Sequence, residues 1–234
     1  MSLDELTPAA PAPAPPQRWW QRSWVLPLAI VTAIFLIYGL PPYLGLDPAR
    51  SRVPLPDHPI FYPALVTHIF FGSVLLLCAV LQLWPWLRRH HIRVHRWSGR
   101  IYALAAIPVG VGGLIVSQFP EGSAVQQVGN SIFALAFLGC TLMGYIAVRQ
   151  GRIADHREWM IRSFALAFSI VVNRVWLVIL MLIFAPDLEP GADMTAAIDL
   201  SVWLSWGGNL LVAEWWLHRK PLRTIKDLRT AGQL

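Results

Sequence analysis

The chain has 234 residues, of which 56% are hydrophobic and only 14% charged. Soluble domains run near a quarter charged, so there is too little charge here to wet a globular surface, which argues against a soluble enzyme and against disorder beyond the tails. The net charge of +6 would suit nucleic acid on a soluble protein, but the placement of the basic residues assigns them to membrane topology instead.

The chain opens MSLDELTPAAPAPAPPQ. Alternating Ala and Pro cannot build a core and favour an extended, solvated chain, so residues 1–23 are expected to form a disordered cytoplasmic tail. The stretch is too long and too acidic for a signal-peptide n-region. No A-x-A site follows the first apolar run, so that run reads as a signal anchor. Apolar runs then occupy 24–40, 62–86, 99–117, 128–148, 160–184 and 196–217. Crossing a ~30 Å hydrocarbon core takes about 20 such residues. The sequence therefore predicts an all-α integral membrane fold with six transmembrane helices within residues 24–218 and a basic cytoplasmic tail over 219–234. The first run is the shortest and ends at Pro41-Pro42.

Segments 1–23, 88–100, 149–162 and the tail from 218 carry 16 of the 19 Lys and Arg; Arg50 and Arg52 lie in the alternate loops and Arg174 inside a span. By the positive-inside rule both termini are expected in the cytoplasm, in a bacterial inner membrane. Nucleic acid is thereby excluded as a partner. Tryptophans Trp19, Trp20, Trp24, Trp84, Trp86, Trp97, Trp159, Trp215 and Trp216 fall near the same interface, the depth that indole prefers. Cys78 and Cys140 each sit inside an apolar run, which excludes a disulfide framework or a CxxC metal site. No Walker motif, catalytic triad, HExxH or paired-carboxylate motif is present.

The two inner turns resemble each other. One reads HRWSGRIYALA from His95 and the other HREWMIRSFALA from His156. This weak repeat predicts that helices 2–5 form a four-helix core of two similar hairpins, with each histidine where a helix enters the membrane from the cytoplasm. Three readings of that imidazole stand side by side. It can hydrogen-bond lipid or a loop. Two of them can ligate a haem iron from both sides, with Arg96, Arg100, Arg157 and Arg162 holding propionates or an anionic donor. The same basic rim can also bind an anion, a lipid or a quinone.

With THIFFG at His68 added, the layout resembles the cytochrome b561 family, whose four-helix core carries histidines on its second to fifth helices. The outer position of helix 4 reads GNSIFAL, so Asn130 stands where that family has a histidine. The resemblance implies a haem b with His95 and His156 as axial ligands. The paired HRxxGR and HRxWMxRS motifs are similar, more specifically, to an uncharacterised bacterial family of multi-pass membrane proteins known as a domain of unknown function. That likeness covers about residues 60–180 and implies a membrane fold without an activity.

Charge inside a bilayer costs at least ~2.5 kcal/mol, so each such residue calls for a partner or a task. His68, Asn130, Arg174 and Asp199 have matched depth and are expected to share one outer polar pocket. There Arg174 either pairs with Asp199 or serves a second site for an anionic or quinone-like ligand. Glu214 can reach the basic rim, Gln82 and Asn209 are candidates for interhelical hydrogen bonds, and Gly110, Gly112 and Gly113 for close helix packing. His58, His90, His91 and His218 are not expected as ligands. The leading function is a membrane b-type cytochrome-like protein that transfers electrons near the cytoplasmic face with a quinone or redox partner protein. The rival is a cofactor-free transporter subunit or assembly partner of a membrane complex. The sequence leaves enzymatic activity and homo-oligomer formation open.

Overall fold

The computed structural model describes residues 25–119, 123–184 and 194–219. The expected tails, with Trp19, Trp20, Trp24 and all but the first residue of the basic C-terminus, lie outside the described residues. The rest is helical: α1 (Val25–Gly39), α2 (Pro41–Leu44), a 3-10 turn (Pro48–Arg50), α3 (Phe61–Leu83), α4 (Pro85–His90), α5 (Ile92–Ser117), α6 (Ala124–Arg149), α7 (Ile153–Ala167), α8 (Ser169–Phe184) and α9 (Thr195–His218). Among the described residues, α3, α5, α6, the combined stretch Ile153–Phe184 and α9 are the five helical segments long and apolar enough to cross a membrane. The first apolar run, whose start at residue 24 lies outside the described residues, is not among these five. Its helix α1 has 15 residues, about 22 Å at 1.5 Å per residue, against a ~30 Å core.

Helix α3 packs on α5, α5 on α6, α6 on α7, and α7 back on α3, so α5 and α7 face each other across the ring. Helix α9 lies against α6, α7 and α8, and α1 against α3. Small and apolar side chains fill the centre: Leu75, Ala79, Tyr102, Ala106, Phe137 and Leu166 are buried together. Large apolar residues such as Leu104, Ile107, Leu135, Leu211 and Val212 stay exposed on the outer faces. Hydrocarbon is as apolar as these side chains, so a bilayer removes the cost they would carry in water.

Local sequence sets the helix ends. Pro85 drives Trp84 out of the helical region, to φ −83 and ψ 106, and so separates α3 from α4. Helix α6 stops at Gly151, which takes a φ of 74. There the Gly151 N–H donates to the Val148 carbonyl at 3.1 Å and the Arg152 N–H to Ala147 at 2.9 Å. This paired closure needs a left-handed residue, which glycine adopts without a Cβ clash. The tight turn brings α7 back antiparallel to α6.

One span is broken in its middle. Phe168 separates α7 from α8, and the Ala165 carbonyl there accepts from Ser169 Oγ at 3.0 Å and from Asn209 Nδ2 of α9 at 3.0 Å. The same Asn209 amide reaches Ser169 Oγ at 3.2 Å. Side chains that enter a helix ladder in this way are a recognised cause of kinks. Replacing Asn209 with Ala removes both bonds from α9. It is expected to cost about 1–2 kcal/mol, read as a lower midpoint for unfolding in detergent, with Ser169→Ala costing less because the Asn209–Ala165 bond survives.

Candidate functional site

His95 lies in the first turn of α5, where Gln82 of α3 fixes the backbone. The Gln82 amide donates to the His95 carbonyl at 2.5 Å and to Ser98 Oγ at 2.7 Å. His156 lies in the first turn of α7, and its Nδ1 sits 2.8 Å from the Gly144 carbonyl of α6. Both histidines are half-buried.

Their helices meet two turns further along. Tyr102 and Ser163 each follow a histidine by seven residues, which returns to nearly the same helix face. Tyr102 Oη and Ser163 Oγ are 2.8 Å apart, and Thr141 Oγ1 of α6 is 2.7 Å from Ser163 Oγ. Tyr102 and Ser163 are 0% exposed. The faces that carry His95 and His156 are therefore turned toward one another across the bundle. The seventh residue after each histidine is a hydroxyl side chain, although the repeat itself aligns Tyr102 with Phe164. Among the described residues, the Nδ1 of His95 is buried without a hydrogen-bond partner.

The arginines divide into two groups. Arg96, Arg100 and Arg157 are exposed, and Arg100 stacks its guanidinium over Trp97 at 5.1 Å. Arg162, expected among the rim arginines open to an acidic ligand, is instead gripped by Glu214 of α9, with Nε–Oε1 at 2.5 Å and Nη2–Oε2 at 3.0 Å. The reason is angular. Arg162 is six residues beyond His156, about 120° round the helix, which aims it at α9. This two-point pairing satisfies the fork of the guanidinium and leaves it a poor partner for another acid.

The expected outer cluster is not assembled as a unit. Asp199 Oδ2 accepts from Ser123 Oγ at 2.5 Å, which ties the start of α9 to the start of α6. Arg174 is exposed and has no ion-pair partner among the described residues. Its neighbour Asn173 takes the inward position and donates to Ser201 Oγ at 3.0 Å. One residue is about 100° of helix rotation, so the choice of Asn173 turns Arg174 away from the bundle. His68 goes to a third place: its Nδ1 is 2.8 Å from the Val109 carbonyl of α5, and its ring fills the space beside Gly112 and Gly113. Asn130 of α6 is half-buried. Ser123, the N-cap of α6, and Asn173 are ordinary polar residues, and nothing in their sequence context singles them out.

The remaining histidines are held locally. His90 Nδ1 lies 3.0 Å from the Trp86 carbonyl, and His218 Nδ1 2.8 Å from that of Glu214. His58 stacks near Phe119 at 5.0 Å, and His91 lies 5.0 Å from the Trp86 ring. Two apolar grooves open on the flanks. One of about 290 Å³ runs between α3 and α5 past Pro63, Thr67 and Pro108. The other, about 350 Å³, runs between α1 and α8 past Pro27, Val31 and Phe168. Neither is lined by a histidine.

Arg162 and Glu214 are the longest-range ion pair among the described residues, and they hold α9 to α7. Glu214→Gln and Arg162→Gln should each lower stability by about 1–3 kcal/mol. A double-mutant cycle on thermal midpoints in detergent should give a favourable coupling between them. Additive single effects would show that the pair contributes nothing as a pair.

Comparison with curated proteins and with solved structures gives no match. A family described as "Predicted membrane protein (DUF2306)" matches residues 65–217, from the second turn of α3 almost to the end of α9. Five membrane-length helices, with a histidine in the first turn of both α5 and α7, are thus the frame of a multi-pass membrane protein, and the chain belongs to the DUF2306 family.

Proposed function

We propose that this chain is a b-type cytochrome-like membrane protein that holds one haem b between His95 and His156 and passes electrons near the cytoplasmic face. The observation that carries this reading is the state of the two imidazoles. His156 donates its Nδ1 hydrogen to a backbone carbonyl at 2.8 Å, the support that metal-binding histidines characteristically have. His95, on the facing helix, keeps a buried ring nitrogen without a partner among the described residues, an atom whose desolvation a ligand would offset. These two observations support the reading of a bis-histidine site at this end of the bundle.

Haem supplies one-electron oxidation and reduction when bound. The chain's own residues do the rest. Gln82 holds the backbone of the first turn of α5, from which His95 projects. Arg96, Arg100 and Arg157, exposed at the same end, offer guanidinium groups to propionates or to an anionic donor. Arg162 is committed to Glu214 and is not part of this set. A quinone or a redox partner protein would exchange the electrons.

Six spans, with both termini in the cytoplasm of a bacterial inner membrane, complete the proposal. The 16-to-2 division of basic residues between alternate segments supports it. In this reading α1 is the buried part of an anchor, and α3 to α8 are two related hairpins. The outer residues His68, Asn130, Arg174 and Asp199 do not form a second haem site, since their side chains make separate contacts. A second reading, a cofactor-free transporter subunit or assembly partner, draws on the dry packing just beyond the histidines. There the Tyr102–Ser163–Thr141 contacts already join α5, α6 and α7.

Protein purified in mild detergent from haem-replete cells should be coloured, with a Soret band and sharpened α and β bands on reduction. His95→Ala and His156→Ala should each abolish the bands, whereas His68→Ala should leave them. A colourless wild type would select the cofactor-free reading. For topology, in a background with Cys78 and Cys140 replaced, a cysteine at Gly45 should react with an impermeant thiol reagent from outside the cell and one at Ala154 should not. The opposite pattern would reverse the orientation.

A further inference from the structure

We infer that the close approach of α6 to α7 at Gly144 fixes His156 as its Nδ1–H tautomer, so that Nε2 is the one nitrogen free to bind a metal or another acceptor-seeking ligand. Gly144 is thus a positioning residue. The inference rests on the proposed haem site only for its consequence at iron; the tautomer itself follows from contacts within the chain.

A carbonyl oxygen accepts hydrogen bonds and cannot donate them. An imidazole nitrogen 2.8 Å from one must therefore carry the hydrogen, and in a neutral ring the other nitrogen then holds the lone pair. The acceptor is the Gly144 carbonyl, five residues before the end of α6 and so at the histidine end of the bundle. That carbonyl can be reached only if α7 lies close, and the glycine makes the approach feasible. A Cβ built at Gly144 would lie 2.7 Å from Met160 Sδ, 3.2 Å from Met160 Cγ and 3.5 Å from Trp159 Cβ. Met160 is one helical turn beyond His156, so the thioether that fills the missing side chain and the imidazole that bonds the carbonyl act on the same short stretch of α6.

The device occurs a second time. His68 places its Nδ1 2.8 Å from the Val109 carbonyl. Beside it, a Cβ at Gly112 would meet His68 Cβ at 3.1 Å and the Ala64 carbonyl at 3.0 Å. In both cases a glycine on the facing helix lets an imidazole close on a backbone oxygen. His95 lacks this support: Gln82 bonds its backbone, and its ring Nδ1 has no partner among the described residues. The histidine that the sequence repeat pairs with His156 is thus not the one that shares its hydrogen bonding.

The size of the substituent decides the outcome of a substitution. Met160 Sδ is near the end of a flexible chain and can swing from a single methyl, so Gly144→Ala is expected to be mild. Gly144→Leu cannot be accommodated without pushing α7 away, which breaks the His156 bond. Met160→Ala in the same chain returns most of the space.

The test is nitrogen NMR of full-length, haem-free protein labelled with 15N-histidine in detergent, with His156 assigned by loss of its signals in His156→Gln. The wild type should show a protonated Nδ1 and an unprotonated Nε2 at His156. Gly144→Leu should give a mixture of tautomers, and Gly144→Leu/Met160→Ala should restore the single form. In haem titrations, Gly144→Leu should weaken binding by about 10–100-fold, the usual scale for loss of a supporting hydrogen bond. A wild-type His156 protonated at Nε2 overturns the inference by itself, whatever the variants do. So does an unchanged spectrum in a folded Gly144→Leu protein. If the wild type has a single Nδ1–H form but binds no haem, the haem reading fails and the positioning role stands. If haem binds through His156 with an unpinned ring, the reverse holds.

Discussion

A polar group that cannot reach water must find its partner inside the chain, and this bundle meets that constraint between helices rather than within them. Gln82 joins α3 to α5, Tyr102, Ser163 and Thr141 join α5, α7 and α6, and Asn209 joins α9 to the α7–α8 break. Asp199 with Ser123 and Arg162 with Glu214 clamp α9 at its two ends. Apolar contact alone cannot set the rotation of such helices, because lipid competes equally for every apolar side chain. Polar contacts can, since each has a direction and a penalty for being unmade. The ring order of α3, α5, α6 and α7 is therefore a consequence of where these few side chains fall.

Much of the architecture was legible for the same reason. Long apolar runs predict helices of membrane length, and five of them are found. The helix breaks at Pro85 and Gly151 lay hidden in that pattern, since the apolar run 62–86 continues through Pro85. Gln82 and Asn209 stood out as amides within apolar runs, and both bridge helices. The shared end of His95 and His156 followed from their matched positions in the repeat. Helix α1 ends just before Pro41-Pro42, where its apolar run stops, and its 15 residues among those described are fewer than any of the five membrane-length segments has.

The details that escaped the sequence are angular. Depth along a helix can be counted from residue number, which gives Arg174 and Asp199 similar expected levels. Whether they meet depends on rotation, and a single residue changes that by about 100°. Asn173 competes for the inward position and takes it, because an amide can be satisfied by one hydroxyl while a guanidinium inside the bundle would need an acid. Arg162 went astray in the same way. It was grouped with arginines near it in sequence, but its azimuth brings it to Glu214. Contacts to backbone carbonyls are harder still to foresee, since Gly144 and Val109 offer an oxygen that every residue possesses. The only trace in the sequence is the glycine that allows the approach.

This division between depth and azimuth bears on the histidine end itself. The side chains that point inward from α5 and α7 are satisfied two turns in, by the hydroxyl contacts of Tyr102, Ser163 and Thr141. At the first turn, the His156 ring is held and the His95 ring nitrogen is not. A purely structural seam would be expected to close at both levels, since an unmet buried nitrogen costs about 1–3 kcal/mol. The chain has the means to close it: polar side chains at the same end already bind backbone atoms of the same turn, as Gln82 does. Leaving one imidazole nitrogen open beside a second, oriented imidazole and three exposed arginines concentrates unmet hydrogen-bonding and charge at one place in the bundle. Tyr62, Asp199, Trp203 and Trp206 also bury polar atoms without a hydrogen-bond partner among the described residues, so what distinguishes the histidine end is the combination of such an atom with an oriented imidazole and exposed arginines.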